Sequence, residues 1–317
     1  MNILLTGSAG FIGFHTSKKL LERGDRVIGV DNFNEYYDVS LKNSRNSILE
    51  KYPNYSVYRV DIVDKEKLFS IIEKEKPDKV VNLAAQAGVR YSLENPFVYV
   101  QSNVVGFLNI LEACRQFKIK HLVYASSSSV YGNNKKIPFS ESDRVDEPIS
   151  LYASTKKFNE EMAFTYHHLY GLNVTGLRFF TVYGPYGRPD MAFFSFTKSI
   201  LSGEGIKVFN QGKMKRDFTF VSDIVDGIIL ALDKNCSCEI FNLAKGDSEN
   251  LLDFIEEIEK NCGKKAKKEF LPLQPGDVVN TSADISKAKK ILGYNPQVEI
   301  ADGVKKFVEW YKEYYKA

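Results

Sequence analysis

Short apolar runs rich in β-branched residues recur through the first half of the chain, at residues 3–6, 26–30, 57–60, 79–83 and 121–126. Between them lie longer stretches whose apolar residues return every three or four positions, the period of a helix with one buried side. Residues 11–23 carry Ile12, Leu20 and Leu21 on such a side and stop at Gly24, a residue type that readily ends a helix. Residues 98–117, with Val104, Leu108, Leu111 and Cys114 in step, and residues 152–170 are long enough to pack as helices and to offer a dimer surface. Strand and helix in alternation predict an α/β fold, a doubly wound parallel sheet covered by helices on both faces.

After Gly184-Pro185-Tyr186-Gly187 the rhythm changes to a loop, a helix near residues 193–201, and short pieces broken by Gly203, Gly205 and Gly212. A second, smaller domain is expected there. The strand-like Phe241-Asn242-Leu243-Ala244 is expected to return to the sheet, so that the domains interleave: 1–187 with 219–244 in the first, 188–218 and 245–317 in the second. Phe307, Trp310, Tyr311 and Tyr314 recur at helical spacing and read as a core-facing stripe.

Composition narrows the class. Of 317 residues, 44% are hydrophobic and 26% charged, which excludes a disordered or membrane-embedded chain. Lys plus Arg number 43 against 40 acids, a net +3 with no clustered basic face, so no nucleic-acid partner is expected. The one dense basic run, Lys264-Lys265-Ala266-Lys267-Lys268, reads as a solvated face or turn. Cys114, Cys236, Cys238 and Cys262 lack metal-ligand spacing, and Cys236 and Cys238 are too close for an easy disulfide, so reduced thiols and no metal are expected. The start, Met1-Asn2-Ile3-Leu4-Leu5-Thr6, has no basic leader and too short an apolar run for a membrane span, which predicts a cytoplasmic protein.

Thr6-Gly7-Ser8-Ala9-Gly10-Phe11-Ile12-Gly13 follows the first strand and opens the first helix. In this place Gly7 permits a tight turn, Gly10 lets backbone approach a pyrophosphate, and Gly13 lets helix and strand pack closely. The helix N-terminus, with Phe11 and Ile12, adds unpaired N–H groups and a positive dipole end. Asp31, 18 residues after Gly13, ends the second strand, where its carboxylate can accept both adenosine ribose hydroxyls and would repel a 2′-phosphate. This is a Rossmann-type dinucleotide site that favours NAD over NADP. Asn32 follows Asp31; Asp61 and Ile62 end the third strand, facing the adenine or capping the next helix. Leu83-Ala84-Ala85 ends the fourth with side chains small enough to leave room for a cofactor.

Tyr-x-x-x-Lys occurs at Tyr131 to Lys135 and at Tyr152 to Lys156. The first runs through the turn sequence Gly132-Asn133-Asn134, whereas the second opens a helix, where residues four apart share a face. Upstream, Ser126 to Ser129 close the fifth strand at the edge where ligands of such sheets bind. A tyrosine normally titrates near ~10. Lys156, with an oxidised nicotinamide, is expected to favour the tyrosinate, so that Tyr152 can take a proton from a sugar hydroxyl while a serine steadies the oxygen.

These strings resemble the extended short-chain dehydrogenase/reductases that act on nucleotide sugars, over essentially the whole chain. Within that family the chain is most similar to the UDP-glucuronate 4-epimerases. The likeness is carried by Asn82-Leu83-Ala84-Ala85-Gln86-Ala87-Gly88-Val89-Arg90-Tyr91-Ser92, Arg178-Phe179-Phe180-Thr181-Val182-Tyr183-Gly184-Pro185, Gly187-Arg188-Pro189-Asp190-Met191-Ala192 and Arg216-Asp217-Phe218. The resemblance implies a tightly held NAD, a UDP-sugar substrate oxidised and re-reduced at carbon 4, and a homodimer. It assigns Ser127, Tyr152 and Lys156 to catalysis, Asn103 to the helix behind the cofactor, Arg90 to the substrate side, and Arg216 and Asp277 to the diphosphate and ribose.

Sister enzymes that eliminate water carry Thr-Asp-Glu where this chain has Ser127-Ser128-Ser129, and the UDP-glucuronate decarboxylases carry Glu at the position of Ser129. Oxidising carbon 4 of glucuronate makes a β-keto acid, which loses carbon dioxide when the breaking bond aligns with the carbonyl π system. Ser128, Ser129 and Thr181, with the charge of Arg188, are expected to hold the carboxylate out of that alignment. The competing readings are a UDP-glucose or UDP-N-acetylglucosamine 4-epimerase, a UDP-glucuronate decarboxylase, and a nucleotide-sensing protein without turnover.

Overall fold

The structure, a computed structural model, describes residues 1–274 and 278–317. Its centre is a seven-stranded sheet. Six strands come in sequence: β1 (Asn2–Thr6), β2 (Arg26–Asp31), β3 (Tyr55–Arg59), β4 (Lys79–Asn82), β5 (Leu122–Ser127) and β6 (Val174–Phe179). The seventh, Cys238–Leu243, arrives from far down the chain and pairs in parallel with β6. The spatial order is β3-β2-β1-β4-β5-β6 and then Cys238–Leu243, with every pairing parallel. Because alternate residues of a strand point to opposite faces, Leu4, Ile28, Val80 and Leu122 enter one core and Ile3, Leu5, Val81 and Val123 the other. Helices seal both faces, as an all-parallel sheet requires. Strand order reverses between β1 and β4, which opens a crevice at the strands' carboxyl ends.

The second core runs on into a smaller lobe, where Phe193, Phe218, Phe254 and Phe307 are buried together. Three two-stranded pieces frame it: Gly205–Val208 with Lys267–Phe270, Thr181–Tyr183 with Phe218–Phe220, and Lys215–Arg216 with Glu249–Asn250. The helix Ile300–Tyr315 buries Phe307 and Tyr311 and packs Trp310 on Tyr186, centroids 4.9 Å apart, the core stripe its spacing predicts.

One expectation is extended and another changes. The basic run is a solvated turn, with Lys264, Lys265 and Lys267 exposed, and it also fastens the lobe: Lys265 and Lys268 close on the buried Glu259, while Lys264 and Lys267 donate to the carbonyls of Leu201 and Gly203. The helix expected over residues 98–117 is three pieces, Pro96–Tyr99, a π-helical Val100–Val105, and Gly106–Gln116. The wider π turn takes in an extra residue and re-aims the side chains on it. By length and composition the stretch Pro96–Gln116 could cross a membrane, but half of it is buried within the protein.

Candidate active site

The loop after β1 can be this tight only with glycine. Gly7 has φ +73°, and a Cβ there would lie 2.8 Å from the Ala84 nitrogen; one on Gly13 would lie 1.9 Å from the Gly7 oxygen. Helix Phe11–Glu22 starts without a side-chain cap, leaving first-turn N–H groups for a ligand. Gly7, Gly10, Phe11, Ile12 and Gly13 line a cleft of about 250 Å³. Asp31 is buried on the same wall, its oxygens accepting the Ala9 N–H at 3.1 Å and the Phe33 N–H at 2.8 Å. Burial pushes its carboxyl up, against those N–H groups, Lys42 and Arg45. Each oxygen keeps a lone pair for a hydroxyl. Asn32 donates to Asp61 at 2.8 Å, and Asp61 lines the cleft and accepts the Val63 N–H in a local turn, while the cap of the next helix, Lys65–Glu75, is Asp64 rather than Asp61. Ile62, Leu83, Ala84 and Ala85 complete this wall. A glycine cradle, an uncapped helix start and a hydroxyl-accepting acid fit a dinucleotide.

Asn103 lies on the π-helical segment behind the cleft and is not among the residues lining it; its amide clamps Gln86 from both sides, accepting the Gln86 N–H at 2.8 Å and donating to the Gln86 carbonyl at 2.9 Å. It shapes the cleft wall through Gln86, which does line it.

Ser150 caps helix Leu151–Tyr170 through the Ala153 N–H, setting Tyr152 in the first turn and Lys156 one turn on. Lys156 is buried and donates to the Ala125 carbonyl of β5 at 2.9 Å; burial lowers its pKa to about 8. Burial pushes the Tyr152 phenol up, while the Ser127 hydroxyl and the Arg188 charge pull it down. Burial is the largest of these influences, and the phenol stands above its ordinary value. Ser127, at the end of β5, accepts the Ser129 N–H and donates to the Ser129 hydroxyl, both at 3.1 Å. Tyr131, of the rejected motif, donates to Asn242 at 2.7 Å within the core.

Beyond Tyr152 lies a second cavity of about 840 Å³, lined by Arg90, Ser128, Ser129, Thr181 and Arg216 among others. The two spaces share Ser127, Tyr152 and Arg188. Arg188 is held in a fork by Asp190, at 3.0 and 2.5 Å, and Tyr36 donates to the same carboxylate at 3.2 Å. Burial would lower the Arg188 pKa and raise that of Asp190, but the pairing prevails in both, and each stays ionised. Arg90 stacks on Phe209 at 5.0 Å, and Arg216 donates to the carbonyls of Lys215 and Val279. Asp277 lies outside the described residues.

Tyr36, Tyr37 and Lys42 also line the dinucleotide cleft. Lys42 is buried, with its ammonium on the Asn34 carbonyl and side-chain oxygen at 2.7 and 2.8 Å. The only signal in sequence is the polar and aromatic density of Asn32-Phe33-Asn34-Glu35-Tyr36-Tyr37-Asp38 just after a strand.

The family model of GDP-mannose 4,6 dehydratase matches residues 4–307. UDP-glucuronate 4-epimerase 4 of Arabidopsis thaliana is 48% identical over 333 residues, 99% of this chain and 76% of that protein. A probable UDP-glucuronate 4-epimerase of Rhizobium meliloti is 43% identical over 335 residues, 100% of this chain and 98% of its own. The crystal structure of UDP-glucuronic acid 4-epimerase from Bacillus cereus, in complex with UDP-glucuronic acid and NAD, superposes with a TM-score of 0.94 at 37% identity, covering 99% of this chain and all of that one.

Proposed function

Because the chain belongs to the GDP-mannose 4,6 dehydratase family of extended short-chain dehydrogenase/reductases, we propose that it is an NAD-dependent epimerase converting UDP-glucuronate to UDP-galacturonate through a 4-keto sugar. The observation that carries this reading is the meeting of a dinucleotide cleft and a larger cavity at Ser127, Tyr152 and Arg188.

The cradle of Gly7, Gly10 and Gly13 with the helix start holds the pyrophosphate of NAD, and Asp31 holds its adenosine ribose. When bound, NAD supplies a reversible hydride acceptor at carbon 4. Tyr152 removes the proton of the 4-hydroxyl and returns one once the sugar has offered its other face, with Ser127 fixing the oxygen. Lys156 anchors the start of the helix to β5 and keeps Tyr152 at that point. Ser128, Ser129 and Thr181 hold the substrate carboxylate with Arg188, keeping its bond to the ring out of line with the keto π system. Arg90 and Arg216 serve the UDP end. Ser128 and Ser129 offer no acid for eliminating water, so the dehydratase reaction is not supported.

Residues 1–187 with 219–244 form the NAD-binding part, and 188–218 with 245–317 mainly the UDP-sugar part. The protein acts in the cytoplasm as a homodimer. Phe97, Phe164 and Leu169, on the two long helical segments, are 81%, 61% and 59% exposed and form its apolar contact.

The test is incubation of purified protein with single sugar nucleotides, without added NAD, and separation of the products. UDP-galacturonate from UDP-glucuronate alone is the expected result. A UDP-pentose would instead mark a decarboxylase, conversion of UDP-glucose or UDP-N-acetylglucosamine a neutral-sugar epimerase, and bound NAD without turnover a sensing protein.

A further inference from the structure

Arg45, on helix Val39–Leu49, is fully buried and lines neither cavity. Its guanidinium is spent on backbone from two distant segments. One nitrogen donates to the Ala9 carbonyl of the dinucleotide loop at 2.9 Å and to the Tyr37 hydroxyl at 2.7 Å. The other donates to the carbonyls of Tyr186 and Gly187 at 2.7 and 3.3 Å, immediately before Arg188. Burying a cation is costly, here partly offset by the charge of the nearby Asp31, and a planar fork points its two end nitrogens to both segments in fixed geometry.

The turn it grips needs holding. Tyr186 has φ +57°, a left-handed conformation uncommon for a bulky residue. A second tie comes from the helix of the dinucleotide loop. His15 Nε2 lies 2.8 Å from the Pro185 carbonyl, which can only accept. The neutral ring, kept uncharged by burial with its pKa near 4, therefore donates there. Packing of Tyr186 against Phe14 and Trp310, centroids 5.0 and 4.9 Å away, finishes the clamp.

We propose that Arg45 is a positioning residue that sets Arg188 relative to the dinucleotide loop, so that carboxylate recognition in the second cavity depends on a guanidinium that never touches substrate. The inference rests on the functional reading of Arg188 above.

It is tested by a double-mutant cycle of Arg45→Lys and Arg188→Ala in the NAD-loaded protein, with NAD content assayed and the affinities for UDP-glucuronate and UDP measured calorimetrically. A lysine keeps the charge and three donors but concentrates them on one nitrogen, so it loses the two separate nitrogens with which the guanidinium grips the two segments. Arg45→Lys is expected to weaken UDP-glucuronate about tenfold while UDP affinity and NAD content stay within about twofold, and to add nothing once Arg188 is alanine. Additive losses, an equal loss for UDP, a loss of NAD alone, or no effect of Arg188→Ala would overturn the proposal. If Arg45→Lys does not fold, His15→Phe, which cuts the tie to Pro185, goes through the same cycle with the same expectations. Failure of the unmutated protein to convert UDP-glucuronate overturns the functional reading and this inference with it; additivity in an active enzyme overturns this inference alone.

Discussion

At the residue scale, the chemistry concentrates on one phenol poised between opposing influences. Removing its oxygen in Tyr152→Phe deletes the proton acceptor but little binding surface. The rate is expected to fall by about 100-fold or more, with UDP-glucuronate affinity nearly unchanged; turnover and calorimetry on one preparation check this. Thr181→Ala takes a hydroxyl from the proposed carboxylate site, and the ratio of pentose to epimer is expected to rise; an unmoved ratio removes Thr181 from that role. Lys156 gives a pH signature. Burial lowers its pKa from 10.5 to about 8, so between those values the unfolded chain binds the proton more strongly and stability rises with pH. Below about 8 the buried charge is a constant penalty. Relative to Lys156→Met, the unmutated protein is therefore expected to gain melting temperature as pH is raised from roughly 7 to 9.5.

At the scale of elements, what could be read from sequence was what is written locally. The glycine loop, the acid ending β2 and the tyrosine–lysine pair on a capped helix each occupy a few adjacent positions with a fixed physical meaning. Arg45, Lys42 and the tie of Tyr36 to the Arg188–Asp190 pair could not be read that way, because these partners lie 8 to 154 residues apart and no periodicity marks them. Nor could the π turn, since one extra residue leaves the apolar spacing of its neighbours intact. That turn is followed by Gly106, where a Cβ would stand 2.7 Å from the Ile62 side chain on the cofactor wall. In an isolated helix Gly→Ala gains up to about 1 kcal/mol. Here Gly106→Ala is expected to have the opposite effect, displacing Ile62 and reducing the NAD retained through purification, measured by its absorbance after denaturation.

At the scale of the molecule, the exposed apolar residues on the segments Pro96–Gln116 and Leu151–Tyr170 make a separate prediction. Phe164→Glu places a charge where the subunits are proposed to meet, and light scattering is expected to show a monomer with unaltered melting behaviour. An unchanged mass would exclude this face as the contact. The path of the chain matters as well. The sheet is completed by Cys238–Leu243, which lies beside β6 although about sixty residues, only part of them in the other lobe, separate the two in sequence. A chain emerging from the ribosome therefore carries the outer edge of β6 bare until three-quarters of it has been made. Such an edge is a template for pairing with any neighbouring polypeptide. Prematurely terminated products ending near residue 187 should for that reason appear in inclusion bodies, and slowing translation ahead of the last strand should lower the yield of native enzyme.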